Sequence, residues 1–395
     1  MAAGGTVGHE ATRLSWLLFV VAAADLATFS AIVPLLPRYA DRLGLSSFEI
    51  GIVVASYAVA VLAVAIPAGR ASDRLGKRTM TVTSVAGMAV ATVLFVFASS
   101  FPALVAARFL QGAASGVAWS AGLAWLSEAS PPAERAGTVA RMTTGASAGL
   151  VAGPMIGGVL GHVIGIRSSF LLIAVVCAAS ASGLALIHER RPAAVAATSL
   201  REGVRTGARN PDIRIGVILV SAVAMAGAGM QTLVPLHLGR EGISAFAIGL
   251  VYAGSAGGSA LIGFAVSRVT GRFDLAVAAG IASAVLTGTI ALLTLPLPVV
   301  AIAVVTIVQG SLQTILYVAG FALSAEGADA AGLGQGLVMG VVNLAWGAAA
   351  FLGPLVAGAL GGGVGDAAAY LVLAVVVAGA VAAIFAWRRP AAARA

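Results

Sequence analysis

Two ionisable side chains of this 395-residue chain stand where charge is expensive. Asp25 falls near the centre of the apolar stretch 14–36, and Arg108 lies inside the apolar stretch 102–126. A charge at the centre of a membrane-spanning helix costs about 2.5–3.5 kcal/mol on insertion scales, which makes such a group a functional candidate. A carboxyl buried there can exchange a proton or hold a cation. At helical spacing Asp25, Thr28, Phe29 and Ile32 share one face, and Arg108, Gln111, Ser115, Trp119 and Gly122 share another. Asp25 and Arg108 can form a structural ion pair. A pair that breaks on protonation is also one way to couple a proton to a substrate. Alternatively, Arg108 can snorkel from residue 102 toward the interface.

Weaker candidates lie further along. Gln309, Gln313 and Tyr317 recur every four residues in the stretch 298–324. Met339, Asn343 and Trp346 share a face in 332–360, as do Met225, Gly229 and Thr232 in 213–236. Intramembrane polar groups face inward, so these residues line a cavity or serve as ordinary packing. His162 and His237 read as exposed near loops. The single Cys177 excludes an internal disulfide and reads as a small packing or lipid-facing residue. Gly145 to Gly149 formally matches a hydrolase nucleophile elbow, but a spanning helix is the wrong context. No HExxH, Walker or Cys-cluster motif occurs, so metal and ATP chemistry are unsupported.

The elements that must position these groups follow from composition. Hydrophobic residues make up 60% of the chain and charged residues 10%, against about 25% charged in a soluble domain. Mean hydropathy is +1.03. A soluble enzyme or a nucleic-acid-binding domain is excluded as the bulk of the chain. The apolar stretches are unbroken, which excludes an alternating outer-membrane barrel. Twelve spans are expected, at 14–36, 48–69, 79–100, 102–126, 138–162, 168–188, 213–236, 246–266, 274–295, 298–324, 332–360 and 367–388. With the N-terminus in the cytoplasm, eighteen Lys or Arg fall inside and four outside, namely Arg38, Arg42, Arg167 and Arg240. That asymmetry puts both termini in the cytoplasm. Ala, Gly and Arg usage hints at a GC-rich bacterial genome and hence a bacterial cytoplasmic membrane.

The Arg-rich stretch 189–212 divides the chain into a bundle at 1–188 and a bundle at 213–395. Arg201, Arg205 and Arg209 at four-residue spacing fit a basic surface helix or a solvated linker. The halves repeat: Val33-Pro34-Leu35 matches Val234-Pro235-Leu236, and Phe48-Glu49-Ile50-Gly51 matches Phe246-Ala247-Ile248-Gly249. Gln111-Gly112 matches Gln309-Gly310, Glu128 matches Glu326, and Gly153-Pro154 matches Gly353-Pro354. The expected fold is therefore an all-α integral membrane protein with twelve transmembrane helices in two pseudo-symmetric six-helix bundles.

Three motifs carry a family resemblance over essentially the full length. Gly69, Asp73, Arg74, Gly76, Lys77 and Arg78 are similar to the G-x-x-x-D-R-x-G-[RK]-[RK] signature of the major facilitator superfamily, in the expected loop. Gly69 and Gly76 would allow a tight turn and close helix approach, with Asp73 at a helix N-terminus and the basic cluster paired to acids. The matching second-half loop, Gly263 to Arg272, is degenerate, with Ser267 and Thr270 at the key positions. Arg108-Phe109-Leu110-Gln111-Gly112 resembles the family's R-x-x-Q-G. Gly149, Gly153, Pro154, Gly157 and Gly158, with Gly145, resemble its antiporter-associated Gly-Pro element. An acid in the first span before Pro34 and Pro37 looks like its drug and amine exporters.

The resemblance implies a secondary transporter working by alternating access, and not an enzyme. Its implied activity is proton-coupled efflux of small lipophilic or cationic compounds, with Asp25, Arg108 and Gln111 in coupling and Thr28, Phe29, Ser115 and Trp119 beside them. The alternative is a proton-coupled exporter or symporter of one sugar or metabolite; a non-transporting membrane sensor is more remote. No cofactor is implied beyond the proton gradient as energy source. The implied partners are a small-molecule substrate, protons and the lipid bilayer, with no nucleic acid and a monomer as the working unit.

Overall fold

The computed structural model describes residues 2–130, 135–188, 205, 207–269, 275–333 and 335–387. Among the described residues there is no strand, and twelve long helices carry the fold. The first six are α1 (Ala2–Ala31), α2 (Ser47–Leu75), α3 (Lys77–Phe97), α4 (Phe101–Ala129), α5 (Arg135–Pro154) and α6 (Ile166–Ala185). The second six are α7 (Pro211–Arg240), α8 (Ala245–Val269), α9 (Leu275–Leu292), α10 (Val299–Ala330), α11 (Gln335–Gly363) and α12 (Asp366–Trp387). Nine helices of the described residues are long and apolar enough to cross a membrane, and shorter apolar helices lie at Val277–Leu292 and Asp366–Ala382. The twelfth helix is α4, which carries Arg108 and Gln111 over its 29 residues.

The sequence explains where the helices start and stop. Expected to run to residue 36, α1 stops at Ala31, followed by a 3-10 turn Val33–Leu35 and a short helix Leu36–Leu43. Pro34 and Pro37 lack the N–H that would continue the ladder. Ser46 and Glu49 form a reciprocal capping box at the start of α2. The Ser46 N–H and Oγ each donate to Glu49 Oε2 at 2.8 Å, and the Glu49 N–H donates to Ser46 Oγ at 3.3 Å. The repeat keeps half of this device. The Ala247 N–H donates to Ser244 Oγ at 3.3 Å, with alanine where the first half has Glu49. Asn210 caps α7, accepting from the Asp212 and Ile213 N–H groups, while its amide donates to the Gly327 carbonyl at 3.1 Å. Residues 189–204 and 206, which hold most of the expected basic linker, lie outside the described residues.

Two compact units emerge. The first comprises Met1–Leu45, Ser56–Ala194 and Gly242–Ala253; the second comprises Ser46–Ala55, Val195–Glu241 and Gly254–Ala395. Two short segments, Ser46–Ala55 and Gly242–Ala253, are assigned to the unit opposite to the half of the sequence in which they lie. In the first unit α1 packs along α5, and α3 packs on α4 and α6. In the second, α7 packs along α11, and α9 packs on α10 and α12. These pairings match through the repeat. The core of the first unit includes Leu14, Leu18, Met88, Trp125, Leu126, Ile173 and Leu184. Cys177 is fully buried in that core and is therefore a packing residue. Large exposed apolar side chains on α3, α6, α9 and α12, such as Val90, Val175, Ile281 and Val375, are suited to lipid.

Candidate functional site

The first unit is built on a glycine stripe. Methyl groups added at Gly145, Gly149 and Gly157 of α5 and the turn after it would fall on the backbone carbonyls of Phe19, Ala23 and Ala31 of α1, and one at Gly153 would fall on the Ser30 hydroxyl. The helices approach this closely because the side chains are missing. The turn Met155–Leu160 after Pro154 is π-helical, a local loosening where proline removes a donor. On the other flank Gly112 of α4 lies against the backbone of Tyr57 in α2, where a methyl would again collide. These contacts fix α1, α2 and α4 around one polar cluster.

Asp25 of α1 is 2% exposed and stands at the centre of that cluster. Tyr57 Oη donates to Asp25 Oδ1 at 2.7 Å. Ser115 Oγ and Trp119 Nε1 of α4 donate to Asp25 Oδ2 at 2.7 and 2.8 Å. Both carboxylate oxygens therefore accept hydrogen bonds, the role of an ionised carboxylate. The sequence reading missed Tyr57. One signal was available: a tyrosine in mid-span needs a partner for its hydroxyl, and the chain has only five tyrosines.

Arg108 is 1% exposed and does not snorkel. No ion pair within 4.0 Å joins it to Asp25 among the described residues. Its Nη1 donates to the Thr28 carbonyl at 3.3 Å and to Gln111 Oε1 at 3.1 Å, and its Nη2 donates to the Phe29 carbonyl at 3.4 Å. Those carbonyls belong to the last turn of α1, which its own helix leaves unpaired and whose dipole end is negative. Arg108 thus caps the end that Pro34 creates. Its guanidinium also lies 4.9 Å from the Tyr57 ring centroid and 5.8 Å from that of Phe29. Gln111 Nε2 donates to Thr92 Oγ1 at 3.2 Å. Thr28 Oγ1 donates to the Ala24 carbonyl of its own helix at 2.8 Å. Tyr57 touches both charged groups, with its hydroxyl on one and its ring face on the other.

The second unit repeats the frame without the charges. Counting by the repeat offset, Ala226 stands where the first unit has Asp25, Thr306 where it has Arg108, Gln313 where it has Ser115 and Tyr317 where it has Trp119. Trp346 Nε1 donates to Tyr317 Oη at 3.3 Å. The Gln313 amide lies against Gly227, where a methyl would come within 2.8 Å of Oε1. Gln309 is buried with its Nε2 unpartnered. Met225 and Gly229 present backbone to Gly353 of α11, and the buried Thr232 donates to the Ala228 carbonyl of its own helix at 3.1 Å. Met339 packs by Ile213, Ala328 and Val338, and Asn343 is exposed.

The turn between α2 and α3 is tight. Gly76 alone joins them, at φ +93°, a conformation that a side chain would strain. Lys77 pairs with Glu128, and Arg78 donates to the Ala185 carbonyl at the end of α6. Arg74 is exposed. Among the described residues nothing lies within 4 Å of a methyl built at Gly69. The Asp73 side chain lies outside the described residues, as do Ser267 and Thr270 of the second-half loop. His162 is exposed, but His237 is half-buried, with Nδ1 at 3.3 Å from Tyr370 Oη and 3.7 Å from Asp366 Oδ2.

The sequence profile of the Major Facilitator Superfamily matches residues 18–338. The chain is 32% identical over 174 residues to the MFS-type transporter ppzB of Metarhizium rileyi, covering 43% of this chain and 36% of that one. It is 34% identical over 159 residues to the multidrug resistance protein MdtG of Proteus mirabilis, covering 38% of each. The chain thus spans less than half the length of these relatives. Among solved structures, a bacterial homolog of the human lysosomal transporter Spinster, inward-facing and occupied, superposes with a TM-score of 0.75 at 15% identity, over 95% of this chain and 96% of that one. At that identity the likeness shows the fold alone.

Proposed function

The chain belongs to the major facilitator superfamily of membrane transporters, and from that premise we propose that it is a proton-coupled exporter of small lipophilic or cationic compounds, working by alternating access. The observation that carries this reading is the saturated carboxylate of Asp25, buried in mid-helix with three donors from two other helices.

Proton uptake changes what Asp25 can accept. A proton on Oδ2 makes that oxygen a donor that can turn to Ser115, and it leaves a poorer acceptor for the indole N–H of Trp119, which can only donate. A proton on Oδ1 requires Tyr57 to swing its own O–H away and accept. Either way the ties from α1 to α2 and α4 are rearranged. Hydrogen bonds to a charged group are worth about 1.5–3 kcal/mol and neutral ones about 0.5–1.5. Neutralising Asp25 therefore weakens three bonds by about 1 kcal/mol each, or about 3 kcal/mol together. That shifts a two-state balance by roughly 100-fold, at 1.4 kcal/mol per tenfold. A cationic substrate competes with the proton for the same oxygens, which is the exchange an antiporter needs. Arg108 acts through Tyr57 and the end of α1 rather than by direct pairing.

In this reading the gradient serves as the energy source and the working unit is a monomer; the Lys and Arg asymmetry supports cytoplasmic termini, and the Ala, Gly and Arg usage supports a bacterial membrane. The efflux reading draws support from a relative named as a multidrug resistance protein. Proton flux into proteoliposomes, challenged with a panel of lipophilic cations, neutral drugs and sugars, tests the proposal. Flux evoked by the cations and drugs supports it. Flux evoked by one sugar alone replaces it with the single-metabolite reading, and no flux with any compound rejects it.

A further inference from the structure

A second site stands at the other end of the first unit from the Gly69–Arg78 turn. The charge asymmetry of the sequence leaves four arginines on the outer side: Arg38, Arg42, Arg167 and Arg240. Arg240 is paired with Asp366. The other three line one cavity of about 400 Å³ together with Tyr39. None of the three has a carboxylate within 4.0 Å among the described residues. Arg38 and Arg42 stand one turn apart on the short helix Leu36–Leu43, where like charges at that spacing repel. Asp41 beside them is exposed and does not line the cavity. Arg167 reaches over the Phe97 ring at 5.9 Å, a contact that supplies no counter-charge, and all three arginines are exposed to solvent.

Two further features give the cavity its chemistry. The 20-residue helix α6 begins at its wall, since Gly165, Ile166 and Arg167 all line it, and no side chain caps that N-terminus. The first amides and the helix dipole therefore add positive potential to three guanidinium groups. The remaining wall is apolar, formed by Val96, Ile166 and Phe170. It is stiffened by rings, with Phe95 packed at 5.2 Å on Phe170 and at 5.6 Å on Tyr39. A bare inorganic anion would leave most of that volume and all of that wall unused.

We propose that this cavity binds an amphipathic anion, with its phosphate or carboxylate head on Arg38, Arg42 and Arg167 and its apolar stem on Val96, Ile166 and Phe170. Arginine matches such heads through paired N–H donors, and three uncompensated charges in one cavity are relieved by a single oxyanion. The site is distinct from the Asp25 cluster, and the proposal does not depend on the proton-coupling reading. Two sources share the chemistry: the headgroup of an anionic phospholipid, or a free amphiphilic anion in solution.

The test uses the full chain in nanodiscs and in detergent. Native mass spectrometry compares retention of phosphatidylglycerol and phosphatidylcholine, and thermal unfolding in phosphatidylcholine nanodiscs follows titration with decyl phosphate. Phosphatidylglycerol should be retained preferentially, and each of Arg38→Ala, Arg42→Ala and Arg167→Ala should weaken it roughly tenfold, the share of one charge-assisted contact. Arg13→Ala, an exposed change at the opposite end, should leave retention unchanged. Stabilisation by decyl phosphate with no lipid preference assigns the site to a free anion. If the wild-type chain shows no preference for phosphatidylglycerol and no stabilisation by decyl phosphate, the proposal is wrong, whatever the variants do. Equal binding by wild type and the triple alanine variant would also overturn it.

Discussion

Replacing Gly149 with alanine should damage transport out of proportion to the single methyl added. That methyl would fall on the Ala23 backbone carbonyl of α1, which cannot rotate out of the way as a side chain could. Overpacking of this kind costs about 1–3 kcal/mol. Alanine recovers about 1 kcal/mol through its better helix propensity. The net loss is therefore about 0–2 kcal/mol. The functional loss should be larger, because relief requires α1 to move away next to Asp25. The donors to Asp25 stand at 2.7–2.8 Å, and losing one of these charge-assisted bonds is worth about 1.5–3 kcal/mol, or roughly tenfold or more in rate. Gly87→Ala in α3 is the control, since nothing lies within 4 Å of its added methyl; it should be neutral or slightly stabilising. Thermal unfolding of the purified variants and gradient-driven uptake into inverted vesicles give the two readings. A Gly149→Ala protein that melts with the wild type and transports at its rate would refute the close-packing argument.

Tyr57→Phe and Trp119→Phe each keep a ring while deleting one donor to Asp25, so both should uncouple transport from the proton gradient by roughly tenfold with expression intact, read as export with and without an imposed pH step. Tyr57→Phe also keeps the ring under Arg108, so its loss of thermal stability should be that of one bond to a charged acceptor, about 1.5–3 kcal/mol. The Lys77–Glu128 pair is partly solvated, with side chains 15% and 31% exposed, so a double-mutant cycle should give a coupling energy of about 0–1 kcal/mol in unfolding; a coupling of several kcal/mol would mean that the pair holds the α2–α3 turn far more tightly than its exposure allows. A reporter that fluoresces only in the cytoplasm should be bright when fused after Ala395, and a dark fusion in a membrane-inserted protein would make the span count odd.

Most of the fold was legible because a bilayer enforces it. Unbroken apolar stretches of spanning length leave helices as the only option once a barrel is excluded. Glycine spacing in α5 also announced close packing, since a stripe at every fourth residue faces one neighbour. The apolar span runs through Val33 to Leu36 and on to Leu43, but its helix breaks after Ala31, where Pro34 and Pro37 lack the donors that would continue it. In the cluster, helical spacing put Ser115 and Trp119 on the Arg108 face, but it could not show that they serve Asp25. Spacing relates residues on one helix, whereas which helix lies opposite depends on Gly112 and Gly149, whose absent side chains carry no chemical signature. Tyr57 escaped for the same reason. Arg108 was read as a partner in charge, and its main contacts are backbone carbonyls, which no side-chain pattern reveals.

In the proposed cycle, protonation of Asp25 is the driving step. Its most direct test is pH-gradient-driven export by Asp25→Asn at matched expression in inverted vesicles. Asparagine keeps the shape and can still accept from Trp119 and Ser115, but it cannot take up and release the proton. The account predicts that gradient-driven export is abolished while the protein remains folded in the membrane and exchanges substrate without a gradient. Undiminished gradient-driven export by the variant would contradict it. Glu49 and Glu128 would not readily supply the missing role, because one is held in a capping box and the other is paired with Lys77.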